Sequence, residues 1–210
     1  MTDVLIPGGR DVRGTLEEPD DEPRAVVVAC PPHPRHGGSR RDARLVAVAE
    51  ALCESGIACL RFDYGEWDDG YGEREDVRNA IRWARDTDRF DGASGDECES
   101  LPVGVFGYSF GASMALLAAP DTDPDAVSAL APTARIAPDL DVVAALESLE
   151  CPVQILYGER DSTVEWEPVV ERARDRGDTV SSMAGDHFFS GNRTAISAEV
   201  SGFYNGLLSK

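Results

Sequence analysis

Short apolar runs of strand length alternate with stretches of helical period along nearly the whole chain. This alternation constrains the fold more than any other feature. Arg10–Glu17 alternates weakly, Ala25–Cys30 is a continuous apolar run, and Ile57–Phe62, Leu101–Phe106, Ala126–Leu130, Pro152–Tyr157 and Thr179–Met183 read as further strands. Between them, Leu45, Val48, Ala49, Leu52 and Cys53 mark one helix face, with Gly56 as its stop, and Val77, Ala80, Ile81 and Ala84 mark another. Helical stretches follow at Ser109–Ala119, Leu140–Leu149, Glu165–Arg176 (stopped by Gly177) and 192–208, the last with Ile196, Val200, Phe203 and Leu207 on its inner face. Residues 86–100 are polar and acidic and read as a surface loop. Continuous apolar strands are buried on both faces, so strand-then-helix order predicts an α/β fold: a mostly parallel central sheet with helices on both faces. The chain contains no internal repeat or linker, so a single domain over 1–210 is expected.

The sharpest local signal is Gly107-Tyr108-Ser109-Phe110-Gly111, a Gly-x-Ser-x-Gly between a strand and a helix of small residues. A tight strand-to-helix turn strains its central residue and crowds its neighbours. Glycines at both ends relieve the crowding and leave the Ser109 hydroxyl exposed at the C-terminal edge of the sheet. A serine hydroxyl is a weak nucleophile without a base. Of the histidines 33, 36 and 187, only His187 follows the serine, in Gly185-Asp186-His187-Phe188-Phe189 beyond the last strand. An imidazole base needs a carboxylate to hold its tautomer. Asp161, after the strand that ends near Tyr157, is the candidate, and Glu159 is its rival; Asp186 adjoins the histidine too closely to reach its ring correctly.

An oxyanion formed at Ser109 needs two N–H donors. One is the amide of Phe110. The other is expected from Pro31-Pro32-His33-Pro34-Arg35-His36-Gly37-Gly38, where proline supplies no N–H and leaves His33, preferred, or Arg35. His33 and His36 have no acidic or sulfur partner nearby in sequence, so no metal is expected, and the chemistry requires no cofactor. Tyr64, Tyr108, Trp166 and Phe188 are candidate pocket residues; core packing is the competing role for each.

These motifs resemble the α/β-hydrolase superfamily, and within it the small members without a large cap domain that are described as esterase-, lipase- or dienelactone-hydrolase-like. The resemblance spans about residues 25–205 and rests on the His33-Pro34-Arg35-His36-Gly37-Gly38 loop, the Ser109 elbow and the Gly-Asp-His-Phe-Phe ending. Pro31 stands where such relatives have a first His, and the segment Arg61-Phe62-Asp63-Tyr64-Gly65-Glu66-Trp67 is shortened relative to theirs. Ser109 occupies the position of the Cys nucleophile of true dienelactone hydrolases. The resemblance implies hydrolysis of a small ester or thioester, with acyl transfer, peptide cleavage and a non-catalytic binding role as alternatives.

Charge excludes other classes. Asp and Glu number 39 against 20 Lys and Arg, a net charge of −19, and Lys210 is the single lysine. Nucleic acid and anionic membrane surfaces are repelled. No apolar run approaches the roughly 20 residues of a membrane helix, and no secretory leader is evident. Five cysteines without a Cys-x-x-Cys pair suit a reducing cytoplasm better than a disulfide framework. A GC-rich genome accounts for arginine in place of lysine but not for −19, which points to a halophilic protein. The expected result is that melting temperature and activity rise together from about 0.1 to 3 M KCl at neutral pH, because the Debye length falls from about 10 Å to about 3 Å or less and carboxylate repulsion disappears. A flat or falling melting temperature across that series would leave codon bias as the explanation.

Overall fold

The computed structural model describes residues 1–86 and 101–208. The acidic stretch read as a surface loop therefore lies, from residue 87 on, outside the described residues, as do Cys98 and Lys210. The strands are β1 (Thr2–Ile6), β2 (Val12–Glu17), β3 (Ala25–Cys30), β4 (Ile57–Asp63), β5 (Val103–Tyr108), β6 (Ala126–Leu130), β7 (Arg135–Ala137), β8 (Leu140–Asp141), β9 (Val153–Gly158) and β10 (Thr179–Met183). The helices are α1 (Ala43–Glu54), α2 (Tyr71–Arg85), α3 (Phe110–Ala118), α4 (Val142–Glu147), α5 (Glu167–Arg176) and α6 (Arg193–Leu207).

Eight strands form one sheet in the order β1-β2-β4-β3-β5-β6-β9-β10. From β4 to β10 all neighbours run parallel; β2 is antiparallel to β4, and β1 is antiparallel to β2. This is the mostly parallel sheet expected from the alternation of elements. Strand order reverses at β3, which pairs with β4 on one side and β5 on the other. At such a switch point the loops leaving the two neighbouring strand ends diverge and open a crevice. Here those are the loops after β3 and β5.

The pleat sorts the core into two layers. Val26, Val28 and Cys30 face α2, α3, α4 and α5, whereas Ala25, Val27 and Ala29 face α1 and α6. Every residue of α3 is buried, as a helix apolar all round must be. Between β6 and β9 the chain makes only the β7–β8 hairpin and α4, and among the described residues no large cap covers the sheet edge. Among the same residues no helix is long and apolar enough to cross a membrane.

Three details differ from the sequence reading. Strand β1 has no counterpart in it: Thr2–Ile6 is short and largely exposed at the sheet edge, so no burial pattern marks it. Strand β5 lies two residues later than 101–106 and extends through Gly107 and Tyr108. The inner face of α6 is Ile196, Val200, Tyr204 and Leu208, while Phe203 is partly buried and Leu207 exposed. Tyr204 sets that rotation. Its ring lies against Gly104, where a Cβ would approach Cε1 to 2.5 Å, and its hydroxyl donates to the Val105 carbonyl at 2.6 Å. Tyr204→Ala is expected to cost about 3–5 kcal/mol in urea unfolding, since it opens a cavity over β5 and removes a buried hydrogen bond.

Candidate active site

The turn from β5 into α3 holds Ser109 at φ 57°, ψ −119°, a conformation that costs a non-glycine residue of order 1–3 kcal/mol. Close packing enforces it. A Cβ at Gly107 would meet the Gly111 carbonyl oxygen at 2.2 Å, and one at Gly111 would meet the Cys30 carbonyl oxygen at 2.2 Å. The Ser109 amide donates to the Leu130 carbonyl at 2.8 Å, and the Ser109 carbonyl accepts from Ala112 and Ser113. The amide of Phe110, first in α3, has no acceptor within the helix.

Ser109 Oγ lies 2.8 Å from His187 Nε2, and His187 Nδ1 lies 2.7 Å from Asp161 Oδ2. The sheet edge brings these three loops together. Asp161 follows β9 and His187 follows β10, and the two loops are joined by hydrogen bonds from Glu159 N to Met183 O and from Arg160 N to Gly185 O. Asp161 and His187 are 7% and 6% exposed, so their contact is shielded from water. Asp161 Oδ1 accepts from the Thr163 amide, and its carbonyl accepts from Trp166 Nε1. Glu159 points elsewhere, its carboxylate accepting from Ser182 Oγ at 3.0 Å, and Asp186 caps its own turn through the Phe188 amide. With Nδ1–H turned to the carboxylate, Nε2 presents a lone pair to the hydroxyl and is able to take its proton.

The β3 loop forms the opposite wall. His33 Nδ1 accepts from the Arg35 amide, while the His33 carbonyl accepts from His36 N and Gly38 N. The Arg35 amide is thus occupied within the loop, which favours His33 over Arg35 as a donor toward the cleft. Burial, with His36 and Arg35 nearby, lowers the pKa of His33, consistent with an Nδ1 that accepts. Trp67 stacks on the His33 ring at 4.6 Å, and Phe110 lies 4.8 Å away. The Trp67 loop is itself anchored from below. Glu73 accepts from the amides of Asp68 and Gly70, Asp76 accepts from Gly65 N, and Arg10 reaches from the β1–β2 turn to Asp76 at 2.7 Å. Both carboxylates are fully buried on one turn of α2. Burial pushes Asp76 up, opposed by Arg10 and the Gly65 amide.

A cleft of about 600 Å³ opens over Ser109, lined by His33, Phe110, Ile136, Val164, Tyr108 and Phe188 among others. Two of the four candidate pocket residues therefore reach it and two do not. Tyr64 is buried beneath the β3 loop, its hydroxyl donating to Pro31 O and its ring packing against Phe62 and Phe110. Trp166 stacks on Tyr157 at 4.4 Å and braces Asp161 from behind. Tyr108 and Phe188 line the cleft. Sequence reading missed Ile136 and Val164, which come from the hairpin after β6 and the loop after Asp161, and also Asp42 and Arg44 at the start of α1. No motif marks these residues; only the fold brings them to the serine. Among the described residues no group of three or more His, Cys, Asp or Glu has the arrangement to hold a metal.

A family model described as serine aminopeptidase, S33, matches residues 21–146, which include the β3 loop and the Ser109 elbow. No curated protein matches the chain. Among solved structures, an α/β serine hydrolase homologue from Coxiella burnetii is 25% identical, with 96% of each chain covered and a TM-score of 0.79. An α/β serine hydrolase without a lid from Xanthomonas campestris is 22% identical over 100% of this chain and 96% of that one, with a TM-score of 0.79. A dienelactone hydrolase from Anabaena variabilis is 23% identical over 99% and 97%, with a TM-score of 0.77. The strand-to-helix elbow, the open sheet edge and the match over more than half the chain lead to one conclusion: the chain belongs to the serine aminopeptidase S33 family of α/β serine hydrolases.

Proposed function

We propose that the protein cleaves small esters or thioesters through an acyl-enzyme, with Ser109 as nucleophile, His187 as general base and acid, and Asp161 as the carboxylate that orients His187. The observation that carries this reading is the unbroken hydrogen-bonded line from Ser109 Oγ through the His187 ring to the buried Asp161 carboxylate. Attack by Ser109 on the carbonyl carbon passes its proton to His187 Nε2, and the oxyanion is received by the amides of Phe110 and His33. Collapse returns that proton to the leaving alcohol or thiol. Water, deprotonated by the same nitrogen, then releases the acid and regenerates Ser109. Asp161 stays ionised throughout, stabilising the imidazolium.

Exposed Phe188 and the absence of a cap among the described residues support an open site of modest selectivity. The high negative charge supports a small-molecule substrate over nucleic acid or an anionic membrane. Labelling with an active-site serine phosphonate, followed by peptide mapping, tests the reading: a single adduct on Ser109 is expected, and an unlabelled protein would leave a binding role. The family description favours one second reading, an aminopeptidase using the same three residues. A product screen of esters, thioesters and peptides, with alcohol and amine acceptors added, separates hydrolysis, acyl transfer and peptide cleavage.

A further inference from the structure

The chain beside His187 is strained at Phe189 and exposed at Phe188, yet the His187 ring must hold two short hydrogen bonds at once. Phe189, two residues on, sits at φ 49°, and Phe188 is 60% exposed. Such a turn persists only where its surroundings over-determine it. Three contacts do so. The Tyr108 hydroxyl donates to the His187 carbonyl at 2.9 Å, the Asp186 carboxylate accepts from the Phe188 amide at 3.0 Å, and Arg44 Nη1 donates to the Phe188 carbonyl at 2.7 Å. Arg44 is itself fixed. Its Nε and Nη2 donate to the two oxygens of Asp42, which also caps α1 through the Arg44 amide, and its guanidinium lies 4.1 Å from the centre of the Tyr108 ring. Burial pushes the Tyr108 phenol up to about 12 against the opposing effect of Arg44, so the phenol remains a donor.

We infer that Asp42, Arg44 and Tyr108 form a clamp that positions the His187 imidazole by holding the carbonyls of residues 187 and 188. The clamp ties the start of α1, the end of β5 and the histidine loop at one point. It rests on the proposed role of His187, and Arg44 is a positioning residue that acts through it. A planar guanidinium is required because one fork must serve Asp42, the Phe188 carbonyl and the Tyr108 face together, which a lysine ammonium cannot do. Although Arg44 lines the cleft, both sides of its fork are already engaged, which argues against a role in gripping substrate charge.

Arg44→Met, Arg44→Lys and Tyr108→Phe test this, each read by ester kinetics, thermal melting and the downfield proton resonance of the His187–Asp161 hydrogen bond. Arg44→Met is expected to lower kcat by about 10- to 100-fold, the scale of a small misplacement of a reacting group, with KM nearly unchanged. Its downfield proton should broaden or vanish, and Arg44→Lys should restore little. Tyr108→Phe removes a single hydroxyl, leaves the ring beneath Arg44 and is expected to show the same pattern more weakly, so it carries the test if Arg44→Met fails to fold. A rise in KM with kcat intact, restored by lysine, would mean that Arg44 binds substrate and would overturn the clamp. So would an unchanged downfield proton in Arg44→Met, or its absence from the wild-type protein. Wild-type protein that keeps this proton but neither turns over ester nor takes the phosphonate would instead refute the proposed function while the proton readout still decides the clamp.

Discussion

Ser109→Ala is expected to reduce ester hydrolysis by about 10⁴- to 10⁶-fold without unfolding the protein. The fold survives because the cost of this elbow lies in the backbone. Alanine at φ 57° bears the same strain as serine, and the amide and carbonyl of residue 109 keep their bonds to Leu130, Ala112 and Ser113. The hydroxyl takes with it its hydrogen bond to His187 Nε2, and the imidazole retains Asp161 through its other nitrogen. Residual rate would come from the oxyanion donors and from binding. Steady-state kinetics on a short-chain ester, together with a thermal melt, measures both halves. A variant that keeps most of its activity would remove Ser109 from the mechanism.

Asp161→Asn is expected to lower kcat by about 10⁴, with Glu159→Gln close to wild type. An asparagine amide presents N–H where the carboxylate accepted, so the imidazole turns to the tautomer whose Nε2 bears hydrogen and cannot take the serine proton. The Thr163 amide and the Trp166 indole keep the loop in place, since they bond to positions that asparagine retains. Glu159 is exposed and its carboxylate accepts from Ser182. Reversed outcomes for the two variants would make Glu159 the third member of the set.

Much of this is legible in residue order because the relevant signals are local. The alternation of apolar runs with helical period follows from what each element must bury, and it leads to the parallel sheet without any knowledge of partners. The elbow is legible for the same reason: a strand, two glycines around a serine and a helix of small residues follow one another directly between Val103 and Ala118. His187 stands out by elimination among three histidines. Asp161 is harder to single out in a chain with 39 acidic residues, and position relative to the strand end is the sole guide.

The wall of the cleft is only partly legible: Tyr108 and Phe188 line it, and Tyr64 and Trp166 show why the others do not. Both are aromatic residues in segments that follow a strand, where a place in the pocket wall and a place in the core compete. Tyr64 turns inward because its hydroxyl finds the Pro31 carbonyl, and Trp166 because Tyr157 offers a flat partner at 4.4 Å. Those partners lie 33 and 9 positions away, and which of them a ring reaches depends on how strands stack and loops close. Arg44 is the converse. In sequence it is an arginine in the first turn of a helix after a capping aspartate; in the fold, 144 positions from Phe188, it grips the loop that carries His187. Sequence by itself determined the class of fold and the strand-to-helix elbow at Ser109, because local periodicity and turn chemistry encode them. Tertiary structure alone decided which rings face the cleft and what holds the histidine loop, because contacts between distant loops are chosen by close packing and carry no periodicity along the chain.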